Sequence, residues 1–216
     1  YGLNRFACVR EDVLSSSIDG SQVDHQPPLY EYKMNAIVAL DDRFVAVGRG
    51  GRQAISFDGQ HWDEETTSNL PDPYYGLATD GQTLVAVGGV NRYHVSVSMD
   101  KGENWTDVPF GNCIGNTLES VVFHNGLFFA QGASDCHHNM NWSEDGINWN
   151  PVTALHPFER HHLLGGHNGW LFGWQETMQG DRFVTRSRNG SDWTTVHQLP
   201  SEMVLKSMAV ERWTKQ

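Results

Sequence analysis

The chain has 216 residues with 15 basic and 26 acidic side chains, a formal net charge of −11. An acidic surplus of that size argues against nucleic acid and anionic membrane surfaces as partners. No apolar run approaches the length of a membrane span, and the chain is long enough for one domain with its own core.

The chain opens on an apolar run, Asn4-Arg5-Phe6-Ala7-Cys8-Val9, followed by the phrase Ser17-Ile18-Asp19-Gly20-Ser21-Gln22-Val23. A second run, Asp42-Arg43-Phe44-Val45-Ala46-Val47-Gly48, precedes Ser56-Phe57-Asp58-Gly59-Gln60-His61-Trp62. The next unit is the cleanest. Tyr74 to Thr79 reads as a first strand, Asp80-Gly81-Gln82 as a turn, Thr83 to Gly88 as a second strand and His94 to Ser98 as a third. Ser98-Met99-Asp100-Lys101-Gly102-Glu103-Asn104-Trp105 then leads into a fourth strand through Val108. The pattern returns with Gly126-Leu127-Phe128-Phe129-Ala130-Gln131-Gly132 and Ser143-Glu144-Asp145-Gly146-Ile147-Asn148-Trp149. It returns again with Gly169-Trp170-Leu171-Phe172-Gly173-Trp174 and Ser187-Arg188-Asn189-Gly190-Ser191-Asp192-Trp193.

Trp62, Trp105, Trp149 and Trp193 recur at a period of about forty residues, which marks a propeller or another array of short strands. Apolar runs cut by Asp-Gly and Asn-Gly turns are hairpin signals, and four antiparallel strands per unit make one blade. No stretch carries a sustained helical apolar face, so very little helix is expected. The reading is all-β: a five-bladed β-propeller with four antiparallel strands per blade, in a single domain over residues 1–216. Its blades cover about 29–66, 73–109, 117–153, 160–199, and 200–216 with 1–28. The opening run aligns with second strands, while Met203 to Val210 looks like a first strand. The fifth blade is therefore expected to be closed by the N- and C-terminal strands, which leaves no open sheet edge.

The Ser-x-Asp-Gly-x-x-Trp phrase resembles the Asp box, or bacterial neuraminidase repeat, of sialidases, sortilin-type receptors and many secreted propellers. At the level of the repeat the resemblance covers nearly the whole chain, and it implies a secreted propeller with a saccharide as ligand or substrate. The phrase itself reads as structural. Ser and Asp oxygens cap backbone donors in a tight turn, Gly supplies a positive φ, and Trp packs between neighbouring sheets. Asn189 occupies the Asp position of the fourth copy, a change that suits a turn acceptor and would disable an acid catalyst. The chain begins inside a strand without Met, so a removed leader and a secreted or periplasmic location are expected.

Cys8 falls in a second strand and is expected as a buried free thiol. Cys113 and Cys136 fall on connections at one end of the third blade, where a disulfide can form. The rival reading is a metal held by Cys136, His137 and His138, whose spacing matches no zinc signature. No metal and no cofactor is expected.

Loops between second and third strands, and between blades, share one end of such a fold, and the Asp-box turns occupy the other. Ligands sit over the channel at the loop-built end, because loops vary while the sheets stay rigid. Stepping by the repeat along the first strands gives one ring of Asn35, Tyr75, Glu119, His162 and Lys206. Two residues earlier lie Lys33, Pro73, Thr117, Arg160 and Val204. Residues two apart on a strand share a face, so one ring should line the channel mouth. Glu119, His162, Tyr75 and Lys206 are the candidate catalytic groups. The carboxylate, imidazole and phenol can move protons, and the ammonium can stabilise negative charge. Lys33, Asn35, Arg160, His161, Tyr74, Tyr93 and His94 are candidate substrate contacts, with Tyr74, Tyr75 and Tyr93 expected as surface aromatics.

A multivalent lectin would repeat its binding residues in every blade. Here the frame repeats while loops such as Arg49-Gly50-Gly51-Arg52 and Val90-Asn91-Arg92-Tyr93 diverge, which favours one asymmetric site and an enzyme. A glycosidase wants two carboxylates across the bond, whereas a polysaccharide lyase wants a His or Tyr base with cations for a uronate. The ring suits a lyase first and a hydrolase second, acting as a monomer. The competing class is a non-catalytic lectin or interaction propeller.

Overall fold

The structure, a computed structural model, describes residues 3, 5–10, 13–25, 33–66, 73–110, 117–133, 140–152, 160–177, 179–200 and 203. Among these, nineteen strands form five antiparallel sheets, and the one helical element is the 3-10 turn Arg49–Gly51. The N-terminal sheet holds β1 (Phe6–Arg10), β2 (Val13–Ser17) and β3 (Asp24–His25). The first four-stranded sheet holds β4 (Met34–Ala39), β5 (Phe44–Gly48), β6 (Arg52–Ser56) and β7 (Asp63–Thr66). The second holds β8 (Tyr74–Thr79), β9 (Leu84–Gly88), β10 (His94–Ser98) and β11 (Thr106–Val108). The third holds β12 (Thr117–His124), β13 (Leu127–Ala133), β14 (Met140–Ser143) and β15 (Asn150–Pro151). The fourth holds β16 (Arg160–His167), β17 (Trp170–Glu176), β18 (Arg182–Ser187) and β19 (Thr194–Leu199).

Every sheet is a simple meander, with strands paired in chain order. The leading strands are neighbours in space: β1 lies beside β4, β4 beside β8, β8 beside β12 and β12 beside β16. Burial follows from that stacking. Second strands such as Leu84–Gly88 are buried along their whole length, because both faces meet a neighbouring sheet. The core therefore lies between sheets. One cluster joins Val45 and Val47 to Tyr74, Leu84 and Trp105, and the next joins Val85, Val95 and Val97 to Leu118, Phe128 and Trp149. Phe129 and Met140 meet Leu163, Leu171 and Trp193 in the same manner, as Leu14 and Val9 meet Met34 and Trp62.

The repeated phrase closes the turn after each third strand. In one copy the Gly146 amide donates to Ser143 Oγ at 2.8 Å, while the Ile147 and Asn148 amides each donate to Asp145 Oδ1 at 2.8 Å. Gly146 has φ +76°, a left-handed conformation that glycine adopts without Cβ strain, and Trp149 Nε1 donates to its carbonyl at 2.8 Å. The same pattern, with Asn189 accepting in place of Asp, recurs at Ser187–Trp193.

β1 pairs Phe6 with Ser17 as β5 pairs Phe44 with Ser56, so β1 and β2 take the places of second and third strands. Met203 to Val210, expected to supply the first strand, lies outside the described residues apart from Met203. So do Cys113, Cys136, His137 and His138. Cys8 is a correction: its thiol is free and exposed. It alternates with Val9, which faces the cluster around Leu14 and Met34, so Cys8 points away from that core.

Candidate functional site

Asn35, Tyr75 and Glu119 each interrupt the pairing of their first strand. The register shifts between Met34 and Ala36, between Tyr74 and Gly76, and between Leu118 and Ser120, which leaves each of the three as a bulge residue. A bulge adds one residue, bends the strand and re-aims a side chain. Here the three re-aimed side chains, with Val9, Lys33, Met34 and Thr117, line one cavity of about 750 Å³. The close approach behind the bulges explains Gly48, Gly88 and Gly132 at or next to the ends of their second strands. A Cβ on Gly48 would strike the Lys33 carbonyl and one on Gly88 the Pro73 carbonyl. On Gly132 it would sit 2.6 Å from the Thr117 oxygen, and on Gly173, in the middle of β17, 2.8 Å from the His162 oxygen.

In β16 the bulge falls on Leu164, two residues beyond His162. The serine of the repeated phrase faces Phe44 in the first four-stranded sheet and Leu171 in the fourth. Counted from it, His161 stands level with Met34, Tyr74 and Leu118, all buried, and His162 with Asn35, Tyr75 and Glu119. His162 Nδ1 lies 3.4 Å from Glu119 Oε2 with both side chains partly exposed, at 32% and 41%. Its ring lies flat on buried Trp174, with centroids 4.1 Å apart and planes 9° from parallel. Arg182 covers the same indole at 5.7 Å and is held by Glu176 at 3.1 Å. The imidazole is thus stacked on one side and faces a carboxylate, an arrangement that fixes a tautomer.

Other expected positions fall differently. Asn35 donates from Nδ2 to the Tyr74 carbonyl at 2.7 Å, so its amide clips the next sheet's bulge. Tyr74, expected at the surface, is fully buried: its hydroxyl meets Ser96 Oγ at 2.8 Å, and its ring stacks on Trp105 at 6.3 Å. His94 is also buried, 3.0 Å from Asp107, because it alternates outward from the second-strand pairing into the same polar network. His161 is buried beside Trp193 at 5.7 Å, and Tyr93 packs edge-on against Phe110 at 5.6 Å. Of these four, none lines the cavity. Arg160 begins β16, and its side chain, like Lys206, lies outside the described residues. Gln53 and Gln131 were not singled out in the sequence. Gln53 Nε2 donates to the Gly102 carbonyl at 2.9 Å, and Gln131 Oε1 accepts from the Leu163 amide at 2.7 Å, tying sheet to sheet. An amide inside an inner strand of its sheet is the signal that could have found them.

Chemically, the cavity offers a carboxylate, a phenol and an ammonium, and the His162 imidazole stands beside that carboxylate. Glu119 is the one carboxylate among the described lining residues. Among the described residues no group of three or more His, Cys, Asp or Glu side chains is arranged to hold a metal, and no helix is long and apolar enough to cross a membrane.

No family model and no curated protein matches the chain. Solved structures do. The chain is similar to YCF48 bound to D1 peptide, with TM-score 0.62 and 16% identity, over 89% of this chain and 62% of that one. It is similar to a catalytically inactive virginiamycin B lyase from Staphylococcus aureus with quinupristin, at TM-score 0.66 and 11% identity, over 91% and 69%. A GH74 enzyme of Niastella koreensis matches at TM-score 0.57 and 16% identity, over 88% of this chain and 29% of that one. The chain therefore spans less than two thirds of that YCF48 structure. These are β-propeller proteins, and the fold of this chain is a β-propeller fold.

Proposed function

We propose that the chain is one secreted or periplasmic five-bladed propeller, closed by Met203 to Val210, that cleaves an acidic saccharide by elimination at the bulge-lined cavity. The observation that carries the reading is the approach of Glu119 Oε2 to His162 Nδ1 at 3.4 Å, beside a cavity shared by Lys33 and Tyr75. Lys33 neutralises the uronate carboxylate, which acidifies the hydrogen on the adjacent ring carbon. Glu119 accepts the Nδ1 hydrogen and directs the Nε2 lone pair of His162 to that hydrogen. As it leaves, the carbon–oxygen bond to the next sugar breaks, a carbon–carbon double bond forms, and Tyr75 protonates the departing oxygen. Elimination is favoured over hydrolysis because two facing carboxylates are needed for the latter, and the described lining holds one.

The test is a glycan array followed by turnover on the hits, read by the ultraviolet absorbance of the new double bond. Glu119→Gln, His162→Ala and Tyr75→Phe should each lower turnover on the order of a hundredfold while leaving Tm unchanged. Wild-type turnover in all three would refute the site. Binding without product from the wild type would make the protein a lectin.

A further inference from the structure

The turns that follow the third strands stand at the end of the fold opposite the cavity, whose lining comes largely from the starts of the first strands. In each copy of the repeated phrase the strand ends on the serine, and the next residue enters the turn. In three consecutive sheets that residue is large, apolar and open to solvent: Ile18 is 66% exposed, Phe57 57% and Met99 60%. Glu144 and Arg188 hold the same position in the next two copies, so the apolar residues are confined to one side. Phe57 and Met99 belong to sheets that have a described sheet packed on each side. Closing the ring between the fourth sheet and the N-terminal sheet therefore leaves them uncovered.

Contacts between neighbouring turns join the three residues into one arc. Gln60 Nε2 donates to Asp24 Oδ2 at 3.1 Å, which ties the turn of Phe57 to the strand that follows the turn of Ile18. Arg43 lies 4.7 Å over the Phe57 ring and donates to Glu103 Oε1 at 2.5 Å, in the turn of Met99. Thr83 Oγ1 donates to Met99 Sδ at 3.8 Å. The charge around the arc has one prevailing sign. Its turns, residues 18–23, 40–43, 57–62, 80–83 and 99–105, hold seven Asp or Glu side chains and two Lys or Arg. Both cations are engaged within the same edge, Arg43 by Asp42 and Glu103 and Lys101 by Asp42. Asp41 and Asp80 pair with no cation among the described residues.

We infer that this arc docks a basic, apolar-faced segment of a partner protein. Apolar side chains of the segment cover Ile18, Phe57 and Met99, and its cations meet Asp41 and Asp80. An exposed apolar patch rimmed by charge is the usual mark of an interaction surface, and opposite charge steers the partner onto it. A second copy of this chain would bring the same acidic turns and be repelled. A cationic saccharide would match the acids but carries no side chains for Ile18 and Met99. The inference does not draw on the cavity or on its chemistry.

The test is calorimetry of the full chain with a synthetic amphipathic peptide of Leu and Lys, at low and high salt. A Ser–Lys peptide of equal charge, a Leu–Glu peptide and a chitosan oligosaccharide serve as comparisons. The Leu–Lys peptide should bind best, and added salt should weaken it. Phe57→Ser with Met99→Ser should weaken that binding about tenfold or more. Asp41→Asn with Asp80→Asn should weaken it and flatten its salt dependence, while Asn keeps an acceptor for the Gln82 and Thr83 amides. Both variants alter exposed side chains and should melt as the wild type does. No binding of the Leu–Lys peptide, or unchanged affinity in the two variants, would overturn the inference. Equal binding of the Ser–Lys peptide, the Leu–Glu peptide or the chitosan oligosaccharide would overturn it too. Self-association of the wild type in sedimentation, lost in Phe57→Ser with Met99→Ser, would assign the arc to a second copy instead.

Discussion

Asp58, Asp100 and Asp145 show how a carboxylate can be wholly occupied by its own turn. Asp145 accepts from the backbone and side chain of Asn148 and from the Ile147 amide, and these bonds hold its carboxyl down to about 2 against the opposing effect of burial. Asp58 is held well below the usual range by the His61 side chain and the His61 and Gln60 amides. Both are depressed in the folded state, so their stabilisation is complete above the unfolded value of 3.8 and is lost as pH falls through the folded value. His124 adds a second window. Burial holds it below 6.5 despite a hydrogen bond to Gly169, so the fold favours its neutral form and loses stability as pH falls below 6.5. A pH titration of Tm should show a decline beginning near 6.5, removed in His124→Gln, and a second decline below about 4 that persists in that variant. Asp100→Ala should cost about 1 kcal/mol through lost capping of the Asn104 amide, with turnover per folded molecule unchanged.

Among the elements, the bulged first strands carry the site and the glycines opposite them carry the bulges. Gly88→Ala should be felt twice. A Cβ there strikes the Pro73 carbonyl and comes within 2.8 Å of Tyr74 Cα, both backbone atoms that move only with the strand. Overpacking should cost about 1–3 kcal/mol, and the displaced bulge should carry Tyr75 out of the cavity. Thermal melting with ligand titration would measure both effects, and a variant that melts normally and binds normally would dissociate the glycine from the site. β8 to β11 were legible in the sequence because Val-rich alternation and the Asp80-Gly81 turn act locally. The bulges were not, because an extra residue in one strand leaves the apolar alternation of its neighbours intact. In β16 the bulge falls on Leu164 and not on the residue level with Asn35, Tyr75 and Glu119, a shift that repeat spacing cannot reveal. Tyr74 and His94 were misplaced for a different reason. Polar tips on side chains beside the loops look exposed until Ser96 and Asp107 are found to satisfy them inside.

Across the whole molecule, stability resides between sheets, and each tryptophan of the repeated phrase fills one such gap. Trp105 joins the cluster of Val45, Tyr74 and Leu84, and its Nε1 donates to Gln53 Oε1 at 2.9 Å. Trp105→Ala should therefore cost about 3–5 kcal/mol and separate the first two four-stranded sheets. The N-terminal sheet differs. Val23 stands where the other phrases have Trp, and among the described residues β1 pairs with β2 alone along its length. Phe6 is 50% exposed on this sheet, costly surface in a stacked array, whereas its counterpart Phe44 is buried. If Met203 to Val210 completes the sheet, deleting residues 203–216 removes a strand from inside the ring and frees the β1 edge. The truncated chain should then aggregate or bind a hydrophobic dye, with broadened melting, as measured by sedimentation and calorimetry. Supplying the segment as a separate peptide should restore a sharp transition, because the edge donors and acceptors of β1 recover their partners. A truncated chain that stays monomeric and melts as the full chain does would refute the closure and with it the five-bladed ring.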